Sequence, residues 1–168
     1  LAACDAALDL ANVWLTPHER ERHAWNAAVR AFNREAVDDL HPTERKHVEL
    51  VNEYREMLGL HMLEIHPALC RSARKHSEWM LATQRLSHEE DNDEGRTLTR
   101  RVAREEYPGA AGENVAFGPP DPQSAFQAWY TSSDHHRNMV DAVYNQIGVG
   151  KAKLYWTQNF GRAAPQVR

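Results

Sequence analysis

Two imidazoles and one carboxylate, each placed at a break between elements, carry the chemistry this sequence can offer. His88 lies in LSHEE, Glu113 in GENVAF, and His135 in SSDHHRNMVD at residues 132–141. Junctions of this kind are where a rigid scaffold presents binding groups. Neutral imidazoles are good ligands for zinc or a similar borderline cation, and a carboxylate can complete three protein ligands while leaving one position open to water. Without a metal, two rings sharing a carboxylate partner would change charge between about pH 5 and 8. Glu113 would then fix the tautomer and orientation of a ring as an acceptor. With a metal it is the candidate catalytic residue, a base beside a metal-bound water.

Other chemistries fit less well. Ser132 and Ser133 are close to His135, but no G-x-S-x-G elbow surrounds them, which argues against a serine hydrolase. Cys70 falls inside a helical pattern with nothing to stabilise its thiolate. The acidic run LSHEEDNDEG invites a calcium loop, and counting from Glu90 places Gly95 correctly, but the twelfth position is Arg101 where a bidentate glutamate is needed. The run is instead expected to be a surface loop whose Asp93 caps a helix over 94–106. His76 sits on an apolar face and is expected to be a hydrogen-bonded core histidine. Of the residues after His135, His136 points about 100° away and belongs to a rim. Arg137 is expected in a surface ion pair, and Asn138 is expected to satisfy backbone groups of the turn.

The elements that must position these groups are legible from period and punctuation. Thr16-Pro17-His18-Glu19 has the form of a helix start, and a stripe of Trp25, Val29, Phe32, Ala36 and Leu40 predicts a helix to about Leu40. Pro42 and Thr43-Glu44 restart the pattern with Val48, Val51, Tyr54 and Leu58 inward, and Gly59 ends it in a left-handed conformation. After a link, HMLEIHP, a third helix from about Ala68 to Leu81 buries Leu69, Ala73, His76 and Met80. GENVAF reads as extended, Asp121-Pro122 caps a helix bearing Phe126 and Trp129, and QIGVGKAKLYWTQNFG reads as an antiparallel hairpin around residues 151–153. Helices first and strands late indicate an α+β fold with helices packed on an antiparallel sheet.

The 168 residues suit a core that needs no disulfide staple. A net charge of -4, with 42% hydrophobic and 26% charged residues, is ordinary for a globular protein and argues against a nucleic-acid partner. No apolar run reaches the roughly 18 residues of a membrane span. Cys4 and Cys70 could form one bridge but make neither a disulfide framework nor a zinc site. The opening LAAC is the pattern that precedes lipid-modified cysteines in bacterial lipoproteins, which would anchor the chain at Cys4. Leu1, Cys4, Leu8, Ala11 and Leu15 also share one helical face, and the basic and hydrophobic regions of a signal are missing, so a helix cut from a longer precursor explains this start better.

Seven strings occur in order: HVELVNEYREMLGLHMLEIHPAL, ARKHSEWML, LSH, GENVAFG, AWYTSSDHHRNM, IGVG and YWTQNFG, over about residues 44–161. Together they resemble the CAP superfamily of cysteine-rich secretory, antigen 5 and pathogenesis-related proteins, in its bacterial SCP-like branch. The resemblance implies a three-layer α-β-α sandwich at residues 43–168, with residues 1–42 as an appended helical extension. It also implies a surface cleft lined by two histidines and two glutamates. On this chain those positions are His88, Glu113 and His135, the last standing where bacterial members have a Gly-His pair. The fourth departs, because Ser132 follows Trp129-Tyr130-Thr131 where eukaryotic relatives place glutamate. Zinc or another divalent cation would fall to His88 and His135, held weakly for want of that carboxylate. The function implied is an exported or cell-envelope protein that binds a lipid, carbohydrate or peptide. The alternatives are a metal-assisted hydrolase of peptide or cell-wall material and a non-catalytic interaction module of a larger precursor.

Overall fold

The computed structural model describes residues 14–35 and 40–167. Among them the order is α1 (Pro17–Glu35), α2 (Pro42–Met57), β1 (Glu64–Ile65), α3 (Pro67–Thr83), α4 (Leu98–Arg104), β2 (Ala110–Phe117), α5 (Pro122–Tyr130), α6 (Ser133–Val140), β3 (Gln146–Ala152) and β4 (Tyr155–Arg162). The sheet order is β1-β3-β4-β2, with β1 parallel to β3 and the other pairs antiparallel. Lys153, in the connection of the expected β3–β4 hairpin, has φ 54°, the left-handed conformation that tight hairpin turns use.

β4 is buried on both faces, and its side chains alternate between two helical layers. Tyr155 meets Met80 of α3, Thr157 accepts a hydrogen bond from Ser77 at 2.9 Å, and Asn159 lies beside Ser72. Trp156 and Phe160 point the other way, into a core shared with Val48 and Val51 of α2, Trp129 of α5 and Met139 of α6. This is the expected three-layer sandwich, with α3 and α4 on one side and α2, α5 and α6 on the other. Three consecutive polar residues, Thr157, Gln158 and Asn159, are fully buried in it, and each has a polar partner, as buried polar groups require.

The IGVG string has a packing reason. A Cβ on Gly148 would lie 2.2 Å from the Leu69 carbonyl carbon, and one on Gly150 would lie 2.1 Å from the Arg74 nitrogen. These two glycines let the backbone of α3 rest directly on β3. Helix α3 buries Leu69, Ala73, His76 and Met80 as its periodicity predicts.

Helix α1 departs from its predicted stripe. Val29 is buried, but Trp25 is only half-buried and the other buried residue is Asn26, 1% exposed. Asn26 accepts from Met62 N at 2.8 Å and donates to Leu60 O, while Asn33 accepts from Ile65 N at 2.8 Å and donates to Leu63 O. The link before α3 contains β1, an edge strand, and α1 covers that edge with side-chain amides in place of a neighbouring strand. Leu58 is exposed rather than inward, whereas Gly59 has the expected positive φ, 73°. The helix expected over 94–106 with an Asp93 cap is shorter: it spans Leu98–Arg104, and Thr97 caps it by accepting from Arg100 N. The Asp93 segment is instead drawn into the loop around Glu90 and Arg101. The LAAC pattern, Cys4 and Ala36 lie outside the described residues.

Candidate functional site

Glu113 of β2 faces the α3–α4 layer, because its neighbour Asn114 takes the opposite face against Gln158. Burial of a carboxylate demands partners, and Glu113 has them on both oxygens. Its Oε1 accepts from His88 Nδ1 at 2.9 Å, and its Oε2 accepts from Arg101 Nη2 at 2.6 Å. With the Asn159 amide turned to satisfy its neighbours, that nitrogen also donates to Oε2 at 3.3 Å while the oxygen accepts from Ala73 N.

In the sequence Arg101 stands out only as the residue that spoils a calcium loop, and its structural role explains the failure. Its Nη1 donates to the carbonyls of His88 at 3.0 Å and Gly95 at 2.9 Å, so a guanidinium fills the interior of the loop. Glu90, also buried, accepts from His76 Nδ1 at 2.9 Å and from Asn92 Nδ2 at 3.0 Å. A Cβ on Gly95 would lie 2.0 Å from Glu90 Oε2, so a glycine is needed where the loop closes over this carboxylate. His76 is the core histidine expected of it, 0% exposed, with its Nε2 against Ser87 O at 2.9 Å. It also approaches Glu113 Oε1 at 4.0 Å, which ties it to the site.

His88 itself remains open, its side chain 57% exposed. The Nδ1 bond to Glu113 orients the ring and leaves Nε2 as the nitrogen available to a ligand or ion, the arrangement that fixes a histidine tautomer. The hydrogen bond that His88 donates to Glu113 raises the His88 pKa against a smaller opposing effect of burial. For Glu113, burial pushes upward, but the bonds and charges of His88, Arg101 and His76 outweigh it and hold the carboxyl below its ordinary value.

His135 lies on α6, whose backbone is tied to the strand that carries Glu113. Asn138, one turn later, donates to Glu113 O at 3.2 Å and to Asn114 Oδ1 at 2.9 Å, and Asn114 donates to His135 O at 3.0 Å. These bonds fasten α6 along the outer edge of β2, the backbone-satisfying role expected of Asn138. Burial lowers the His135 pKa, and the charge of His88 lowers it further. His136 diverges as expected, its Nε2 2.9 Å from Tyr54 OH and its ring against Tyr130. Arg137 pairs with Asp134 at 3.5 Å. Ser132 is the N-cap residue of α6 without a side-chain capping bond, and its hydroxyl is not bonded to His88, Glu113 or His135.

No three His, Cys, Asp or Glu side chains among the described residues converge on a common point, and Glu113 is committed to His88 and Arg101. His88 Nε2 is left open beside this committed carboxylate. Cys70 offers no thiolate chemistry, being a free, buried cysteine whose thiol burial pushes up to about 12.

Comparison with known proteins places this geometry. A model of the cysteine-rich secretory protein family (CAP) matches residues 48–160. The chain is 33% identical over 119 residues to the uncharacterized protein YkwD of Bacillus subtilis (strain 168), covering 70% of this chain and 46% of that one. It is 30% identical over 118 residues to the uncharacterized membrane protein YlbC of the same organism, covering 70% and 34%. The chain therefore spans less than half the length of both relatives. Among solved structures, an extracellular protein containing an SCP domain from Bacillus anthracis str. Ames is similar at TM-score 0.69 and 27% identity, over 76% of this chain and 45% of that one. An outer surface protein of Borrelia burgdorferi shares the fold at TM-score 0.63 and 21% identity, over 68% and 88%. With its sandwich, its ordered motifs and a family match across most of its length, the chain belongs to the cysteine-rich secretory protein (CAP) family.

Proposed function

We propose that the chain is the binding domain of an exported or cell-envelope protein, and that it takes a small polar ligand in the hollow walled by His88, Glu113, Ser132 and His135. One observation carries this reading: an exposed imidazole is backed by a carboxylate that is buried and held on both oxygens. A scaffold that places a charge pair in its interior to aim one ring outward has organised that ring for contact. His88, its pKa raised, is the better donor, and His135, its pKa lowered, is the better acceptor. The pair suits a ligand with an adjacent acceptor and donor, as in a sugar diol or a peptide amide. Glu113 positions His88 and is not free to act as a base on water, which favours binding over hydrolysis.

The location follows the similar structures, which are described as extracellular and outer-surface proteins. Among the described residues no helix is long and apolar enough to cross a membrane. A divalent cation would be held through His88 Nε2 and His135. The test is calorimetric titration of zinc, and separately of soluble cell-wall glycopeptide fragments, into the metal-stripped chain and into His88→Ala/His135→Ala. The reading expects heat with at least one titrant that disappears in the double variant. Unchanged heat in that variant, or none in either protein, would remove the hollow as the binding site.

A further inference from the structure

A cavity lies where α1 meets α2, lined by none of His88, Glu113, Ser132 or His135. It encloses about 210 Å³, room for roughly seven waters at ~30 Å³ each. Its floor is apolar, made by the buried side chains of Val48, Met62 and Ile65. Its walls carry opposite charge: α1 contributes Arg30 and Arg34, and α2 contributes Glu49 and Glu53.

Most of the polar groups around it are already engaged. Arg30 pairs with Glu56 at 2.6 Å and Glu49 with Lys46 at 3.1 Å. Arg45, also at the rim, donates to the Asn33 carbonyl. The amides of Asn33 and Asn52 are committed to the backbone of Leu63 and Ile65. Arg34 and Glu53 differ: both are exposed, and among the described residues neither has an ion-pair partner, the other included. Among the described residues the cavity therefore presents one unpaired cation, Arg34 of α1, and one unpaired anion, Glu53 of α2, beside an apolar floor.

We propose that this cavity is a ligand site for a small zwitterion with an apolar side chain, a free α-amino acid about the size of leucine. A guanidinium fork recognises a carboxylate in a way no other side chain matches. Glu53 answers the ammonium and would repel a simple fatty acid, while the hydrocarbon lies on Val48, Met62 and Ile65. Exposed ion pairs are weak, so dissociation constants fall in the millimolar range. The site depends on α1 docking against the family domain, since Arg30, Asn33 and Arg34 of α1, with Arg45 of α2, precede the family match.

Three molecules that share leucine's isobutyl side chain test this on the whole chain: L-leucine, 4-methylpentanoate without the ammonium, and 3-methylbutylamine without the carboxylate. Chemical shifts of backbone amides are followed during titration. Leucine is expected to move amides at 48–53 and 62–65 and to bind about fivefold more tightly than either analogue, near the limit for an exposed ion pair. In Arg34→Gln the advantage of leucine over the amine collapses, and in Glu53→Gln the advantage over the acid collapses. Because each comparison is made within one variant, a change in folding cannot imitate it. Equal binding of all three, preferences that survive the substitutions, shifts confined to the His88–His135 hollow, or no shifts at all would each overturn the proposal.

Discussion

The guanidinium of Arg101 stands 2.6 Å from the Glu113 carboxylate, with both side chains only 4% exposed. The same guanidinium holds the carbonyls of His88 and Gly95. One internal cation thus fixes both the acid of the site and the loop that delivers its imidazole. Breaking a buried ion pair on one side costs about 3–5 kcal/mol, because the surviving charge is left uncompensated. Arg101→Met is expected to lose stability on that scale in urea denaturation. Adding Glu113→Gln should recover part of the loss, which a variant that merely left a cavity would not show.

His88 and His135 should titrate apart. The His88 pKa is raised in the folded chain, so its contribution to stability is fully present below the unfolded value of about 6.5 and is lost as pH rises through the folded value. His135 is lowered, so it stays neutral further into acid. Glu113, also lowered, contributes stability above its unfolded value that is lost as pH falls through its folded one. Histidine Cε1 proton shifts of metal-stripped protein will order the midpoints His88 above His135. Glu113→Gln is expected to bring the His88 midpoint down, and an unmoved midpoint would contradict the hydrogen-bonded pair.

Gly150 should not tolerate a side chain. Its added Cβ would meet backbone atoms of α3 at 2.1 to 2.4 Å, and backbone cannot swing aside as a side-chain tip can. Overpacking of this kind costs about 1–3 kcal/mol and sometimes more. Gly150→Ala is expected to shift the urea midpoint accordingly, while Gly118→Ala, with open space around it, gives up only what its φ of 112° demands.

Helix α1 should be held by amides rather than by apolar area. Asn26→Ala removes the acceptor for Met62 N and the donor for Leu60 O. A buried group left unpaired costs about 1–3 kcal/mol. Hydrogen exchange at Met62 is expected to accelerate selectively, with the amides of β4 following only the change in global stability.

Much of the scaffold was legible because its signals are local. The stripe Leu69, Ala73, His76 and Met80 predicted α3 and its buried face, and the run of 146–161 predicted the β3–β4 hairpin. The edge cover by α1 was not legible, because periodicity counts apolar residues and this face is built on Asn26 and Asn33. Their spacing of seven puts them on one side of a helix, a signal that becomes meaningful only beside an edge strand. The loop over 86–97 was read by its acidity, which points outward, whereas Glu90 turns inward to His76 and Arg101.

By itself the sequence determined the family and most of the order of elements, and it singled out His88, Glu113 and His135 as candidates, because these depend on residue type and short-range spacing. Only the tertiary structure decided that Glu113 is buried between an imidazole and a guanidinium, and that Arg101 organises the site. Those properties belong to contacts between residues far apart in the chain. Whether a charge is desolvated, paired or free is set by the neighbours that packing brings to it.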